Sequence, residues 1–268
     1  MMKDILEEIM AHKRHEVEAS KREVPLSVLA NLLKERYRQR QLRPTYSLKQ
    51  ALQNSNSGII SEFKRKSPSK GWISQNADPA IIAPAYEQGG ATALSVLTDA
   101  KYFGGSSEDL RTARSKVSLP ILRKDFICDE YQLYEARLWG ADAILLIASA
   151  LERNTCIALA RKAKELQLEV LLELHHEREL EYLNDAVDVV GINNRNLGTF
   201  HTDTEHSFLL AEQLPRETVR ISESGISNAA TARELRQKGF QGFLIGELFM
   251  RTENPGESLK YFLQQMHV

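Results

Sequence analysis

Glu62 and Lys64 stand two residues apart in Gly58-Ile59-Ile60-Ser61-Glu62-Phe63-Lys64-Arg65-Lys66-Ser67-Pro68-Ser69-Lys70-Gly71. The stretch begins with strand-like alternation and ends as a basic loop rich in serine, proline and glycine. Residues two apart on a strand share a face, so a carboxylate and an ammonium would project together beside a loop suited to anions. Such a pair can hold and pass a proton, or it can be a salt-bridged, solvent-facing strand edge; the stretch alone leaves both open. Other apolar runs close in the same manner, with Lys124 after Ile121-Leu122-Arg123, Glu173 after Val170-Leu171-Leu172, and then Asn193 and Glu223. One charge at a buried strand end is often half of a structural ion pair. Recurrence on five runs favours a shared site, because inward charges on a wrapped parallel sheet are costly unless they meet at a mouth. The run Ile144-Leu145-Leu146-Ile147-Ala148 ends without a polar side chain, which suits either the apolar part of a ligand or ordinary core.

Small residues close the last two runs, in Ser222-Glu223-Ser224-Gly225-Ile226-Ser227 and Leu244-Ile245-Gly246-Glu247. Ser227 is expected to cap the helix that follows it. Asn254-Pro255 reads as another helix start, which leaves residues 247–251 for a short extra helix. Backbone N–H groups at such a helix start favour an anion, phosphate in particular. His175 and His176 are adjacent and would point to opposite faces of a strand, and metal-ligand spacing is missing, so no metal site is expected. Cys128 is a nucleophile candidate with no histidine placed near it by sequence. Lys124 could form a Schiff base, and that alternative stays open.

The elements that must position these groups are short strands at residues 58–63, 93–97, 119–124, 142–147, 169–174, 188–193, 218–222 and 241–246. Helical patterns alternate with them, from residue 79 and over 130–139, 152–166 and 228–238. Eight βα units in 268 residues point to the α/β class and a (β/α)8 TIM barrel. An open doubly wound sheet is the competing fold. Gly90, Gly140 and Gly239 each precede a strand, where a left-handed helix cap is expected. Amphipathic helices over residues 3–20 and from Pro25 through Leu33 form an N-terminal extension. The whole chain, 1–268, reads as a single barrel domain with residues 1–50 as extra helices.

Composition narrows the function. There are 35 basic and 36 acidic residues, a net charge of −1, which gives no general drive toward nucleic acid or membrane. The basic run at residues 34–40 reads as a solvated helix face. Cys128 and Cys156 resemble neither a disulfide framework nor a metal set. The first 15 residues lack a signal-peptide core, and no apolar run reaches spanning length. A cytoplasmic enzyme is expected.

The motifs resemble those of the indole-3-glycerol phosphate synthase family. They are Ser61 to Gly71, Ala93-Leu94-Ser95-Val96-Leu97-Thr98-Asp99 with Phe103-Gly104-Gly105-Ser106, Leu122-Arg123-Lys124-Asp125-Phe126, Gly191-Ile192-Asn193-Asn194-Arg195-Asn196-Leu197, Glu223-Ser224-Gly225-Ile226 and Leu244-Ile245-Gly246-Glu247. The resemblance spans nearly the whole chain. It implies ring closure, decarboxylation and dehydration of 1-(2-carboxyphenylamino)-1-deoxyribulose 5-phosphate in tryptophan biosynthesis, with no cofactor or metal. By resemblance Lys124 is the general acid for the ketone, Lys64 pairs with substrate anions, and Glu173 and Glu62 handle protons and hold the lysines. Asn193 and Glu223 are carried over as catalytic-site residues. Ser67, Phe126 and Arg195 are carried over as substrate contacts, and Ser224, Gly225, Gly246 and Glu247 as the phosphate cup. Neighbouring ammonium groups are expected to lower each other's pKa while the carboxylates oppose that shift. The implied partners are a small molecule bearing phosphate and carboxylate and, by association, other tryptophan-pathway enzymes.

Overall fold

A computed structural model describes residues 5–195 and 205–266, with the side chains of residues 205–207 left out. Eight parallel strands close into a barrel: β1 (Ile59–Phe63), β2 (Ala93–Leu97), β3 (Ile121–Lys124), β4 (Ala143–Ile147), β5 (Glu169–Leu174), β6 (Val189–Asn193), β7 (Arg220–Glu223) and β8 (Gly242–Ile245). Each strand pairs with the next and β8 returns to β1, so the barrel has no open edge. The TIM barrel expectation therefore holds over the open sheet. Strand boundaries shift by a residue or two, and Glu223, expected just past its strand, is the last residue of β7.

The period-two pattern divides each strand between two cores. Ile60, Ala93, Leu122, Ala143, Leu145, Ile147, Leu171, Val189, Ile221 and Leu244 fill the barrel interior. Their neighbours Ile59, Phe63, Leu94, Val96, Ile121, Ile144, Val170 and Phe243 face the helices in a second, larger core. Ile147, at the end of the apolar run on β4, thus lines the interior.

Helix caps follow the residue types. Asp78 caps the helix Pro79–Gly89, accepting from Ala80 N–H, and Asp129 caps Glu130–Trp139 in a capping box with Gln132. Gly90, Gly140 and Gly239 have φ of 96°, 94° and 90°, the left-handed conformation that a side chain would strain. One expected cap is corrected: Asn228, not Ser227, caps Ala229–Gln237, because its side-chain oxygen accepts from Thr231 N–H.

Three helices precede the barrel: α1 (Ile5–Glu23), α2 (Leu26–Arg38) and α3 (Leu48–Asn54). Leu48 and Leu52 of α3 join the interior core, so α3 plugs the N-terminal end of the barrel. The segment between α2 and α3 is tied down there by Asp142, which accepts from Arg43 at 2.6 Å and from Tyr46 N–H at 2.8 Å. A closed base leaves the opposite, C-terminal end as the mouth.

Candidate active site

At that mouth the inward positions change from apolar to polar one pleat above the core. On β1 the inward series runs Ile60, Glu62 and then Lys64 just past the strand; on β3 it runs Leu122, Lys124; on β5, Leu171, Glu173. Strand register sets these groups side by side, with Leu97 opposite Lys124, Glu173 opposite Gly191, and Asn193 opposite Glu223.

Contacts knit most of the group together. Lys124 Nζ lies 3.3 Å from Glu173 Oε2 and 3.5 Å from Glu223 Oε2. Asn193 Nδ2 donates to Glu173 Oε1 at 3.1 Å, and His175 Nε2 is 3.3 Å from the same oxygen. Lys64 Nζ pairs with Glu62 Oε1 at 2.5 Å. Two glycines make room. A Cβ on Gly191 would stand 2.2 Å from Glu223 Oε1, and one on Gly246 would stand 2.5 Å from Glu62 Oε1. Gly246 thus has a role that the phosphate-cup expectation does not include.

Burial and charge set the proton inventory. Burial alone would push the Lys124 ammonium down, but Glu173, Glu223 and Glu62 overcome it and hold the pKa well above the ordinary lysine value. The expected mutual depression by Lys64 does not govern this lysine. For Glu173, burial works upward, yet Lys124, His175 and Asn193 prevail and keep it ionised. Glu223 goes the other way: burial and the nearby Glu173 charge outweigh Lys124 and raise it. A proton on Glu223 leaves two ammonium groups, Lys64 and Lys124, facing two carboxylates, Glu62 and Glu173.

These protonation states weigh against two alternatives. A Schiff base needs a neutral amine, and Lys124 is held as the cation. Cys128, pushed up to about 11 chiefly by burial, is a poor thiolate. The rings of His175 and His176 are 6.4 Å apart, and His175 faces Glu173.

The residues expected to contact substrate lie in the segments that follow the strands. Ser67 sits in a two-residue ribbon pairing with Gly71, is buried, and its hydroxyl has no hydrogen-bond partner among the described residues. Arg195 donates its N–H to Asn193 Oδ1 at 3.0 Å and reaches Ser69 Oγ at 3.5 Å, while among the described residues its buried Nε has no hydrogen-bond partner. Phe126 packs against Phe103 with ring centroids 6.0 Å apart. Ser224 and Gly225 both take left-handed backbone conformations, φ 67° and 74°, and Asn194 braces them by donating to Ser224 O at 2.8 Å. Gly246 and Glu247 open the four-residue helix Glu247–Met250, the short extra helix expected there. Asn196 and Leu197 of the sixth-strand motif lie outside the described residues.

Two residues beside the site escape a reading by strand ends. Asn194 donates to both Ser222 Oγ and Ser224 O, fixing the turn after β7 from the neighbouring strand. Lys13 of α1 is buried, 3.0 Å from Asp99 Oδ2 and 3.0 Å from Asp125 Oδ1. The available signal was its position: Leu6, Ile9, Met10, Lys13 and Val17 form one helix stripe, and a lysine in an apolar stripe needs a buried anion.

A family model described as indole-3-glycerol phosphate synthase matches residues 6–262. Among relatives carrying that name, one from Bacteroides thetaiotaomicron is 57% identical over 263 residues, 98% of this chain and 99% of its own. Another, from Neisseria meningitidis serogroup B, is 46% identical over 254 residues, 94% and 96% of the two chains. Among solved structures, a thiamine phosphate pyrophosphorylase from Pyrococcus furiosus superimposes with a TM-score of 0.61 at 16% identity, over 82% of this chain and 98% of that one. A tryptophan synthase α-subunit from the same organism gives 0.60 at 16% identity, over 79% and 98%. At such low identity, these two speak to the barrel fold alone.

Proposed function

The chain belongs to the indole-3-glycerol phosphate synthase family, and from that membership we propose that its mouth closes the indole ring on 1-(2-carboxyphenylamino)-1-deoxyribulose 5-phosphate. The ring carbon bearing the carboxylate attacks the ketone carbon, CO2 leaves that ring carbon, and the new hydroxyl departs as water. The observation that carries the assignment is the convergence of Lys124, Glu173, Asn193 and Glu223 on one another, with Lys124 3.3 Å and 3.5 Å from the two carboxylates.

Lys124 is the general acid. Negative charge grows on the ketone oxygen during attack, and an alkoxide is more basic than any amine, so even a strongly held ammonium transfers its proton downhill. Glu173, kept ionised, orients that ammonium and accepts the proton released during dehydration. Glu223, holding a proton in the resting site, is placed to assist departure of the hydroxyl. Lys64, positioned by Glu62, meets the substrate anions and is a second acid for water loss. Arg195 and Ser67 take the anthranilate carboxylate, a match for a guanidinium fork. Phe126 packs on the aromatic part, and the backbone of Ser224, Gly225, Gly246 and Glu247 takes the phosphate. Ammonium and carboxylate groups supply all the proton transfers, so the proposed reaction calls for no cofactor or metal.

The reading includes a chain that works as one barrel domain, with its N-terminal helices as an integral layer. It also includes a cytoplasmic setting and association with other tryptophan-pathway enzymes. No helix among the described residues is long and apolar enough to cross a membrane.

Adding the aminodeoxyribulose phosphate to the purified chain should produce indole fluorescence together with one equivalent of CO2. Fluorescence without CO2 release, or no reaction with that substrate, would sink the assignment.

A further inference from the structure

An ammonium group buried where an apolar side chain would fit pays a desolvation cost that packing alone does not require. Lys13 is such a group: α1 carries it on its buried stripe and delivers it between two loops of the barrel mouth. One loop follows β2. Its Asp99 touches Lys13 and accepts from Tyr102 N–H at 2.7 Å, while Asp99 O accepts from Gly105 N–H at 2.8 Å. The other follows β3. Its Asp125 touches Lys13 through Oδ1, which also accepts from Phe126 N–H at 2.8 Å, and takes Thr98 Oγ1 at 2.6 Å and Arg123 at 3.1 Å through Oδ2.

Asp125 is the residue after Lys124, and successive residues leave a strand toward opposite sides. The proton donor proposed above turns into the mouth, and its neighbour turns outward onto Lys13. Thr98 N–H donates to Lys124 O at 3.2 Å, so the same two loops hold the backbone of Lys124 directly. Phe103 and Phe126, one from each loop, meet 6.0 Å apart. Without the ammonium, Asp99 and Asp125 would repel across the gap that it bridges.

We infer that Lys13 is a positioning residue for the reaction: its ammonium joins Asp99 to Asp125 and thereby holds Lys124 against Glu173 and Glu223. The inference rests on the synthase reading and concerns the chemical step. Lys124 acts as charge grows on the ketone oxygen, so its misplacement should appear in kcat far more than in KM.

Lys13→Met keeps much of the stem and removes the charge. At a temperature well below its melting point, kcat for the aminodeoxyribulose phosphate should fall about 10- to 100-fold with KM within about threefold, as expected for a donor displaced by up to about 1 Å. Asp99→Asn keeps a capping oxygen and removes the other side of the link. It should lower kcat in the same way, and the double variant should be no worse than Lys13→Met alone, within about threefold. Retention of kcat within twofold in folded Lys13→Met, a loss confined to KM, or losses that multiply in the double variant would overturn the inference. If Lys13→Met does not fold, Asp99→Asn decides alone, and an unchanged kcat overturns it. The unmodified enzyme is run in parallel: turnover there but not in the variants supports Lys13, whereas no turnover in any of them overturns both this inference and the synthase reading.

Discussion

At the base of the barrel, Asp142 is fully buried and accepts from Arg43 at 2.6 Å, Arg114 at 2.9 Å, Tyr46 N–H at 2.8 Å and Ile121 N–H at 2.8 Å. Glu169 beside it accepts from Ser47 Oγ at 2.5 Å and Lys49 N–H at 2.8 Å. At the mouth, Glu223 is equally buried, but among the described residues its Oε1 has no hydrogen-bond partner, and its Oε2 is 3.5 Å from Lys124. The residue types are similar and the treatment is opposite. A carboxylate surrounded by donors is a fastener, since its lone pairs are met by fixed N–H and O–H groups. A buried carboxylate left short of donors, beside another of its kind, is pushed toward protonation and stays responsive to whatever arrives. The molecule closes one end with a fully bonded carboxylate and keeps one that is short of donors at the other.

The sharpest way to break that contrast is to remove the central cation of the mouth. Lys124→Ala should lose about 10²- to 10⁴-fold in kcat while still binding a phosphate-bearing analogue. Steady-state kinetics and a binding titration check it, and turnover within a few-fold of the parent would remove Lys124 from its role. At the other end, Asp142→Ala should cost about 3–5 kcal/mol of unfolding free energy, because Arg43 and Arg114 lose their buried partner. Denaturant unfolding reads the loss, and kcat at low temperature should stay near the parent value; a large fall in kcat without destabilisation would erase the distinction between the ends.

Asp125 sharpens the comparison because it adjoins the mouth in sequence yet is satisfied like a base carboxylate. Burial would raise its pKa, but Arg123, Lys13 and the Thr98 hydroxyl bring it down from 3.8 to about 2. A depressed folded value means that the unfolded chain binds the proton more readily. The stabilisation is therefore present above about pH 4 and is lost as pH falls through about 2, to the extent of roughly 2 kcal/mol. Unfolding free energies measured across that window should fall more steeply in the parent than in Asp125→Asn. Equal slopes would mean that Asp125 is not held as the distances indicate.

Much of this arrangement was legible from residue types. Period-two alternation put Glu62 with Lys64 on one face, and Leu122 with Lys124, because strand pleating imposes that period whatever the fold. Arg123 stands between Leu122 and Lys124 on β3, and its partners, Glu135 at 3.2 Å and the Trp139 ring at 4.1 Å, belong to a helix whose docking no local spacing encodes. The choice of Asn228 over Ser227 as cap was equally hidden, since both residue types cap well and only backbone direction separates them.

Chain chemistry by itself determined the alternation of strands and helices, the rule that residues two apart on a strand share a face, and the set of polar groups gathered at the strand ends. Those follow from local sterics and from the cost of burying charge, which act wherever the chain is. Only the closed barrel decided which carboxylate keeps its proton, that Gly191 and Gly246 yield their side-chain space to Glu223 and Glu62, and that Lys13 reaches Asp99 and Asp125. Each of those depends on groups far apart in sequence meeting within a few ångströms, where burial makes every charge answer to its neighbours.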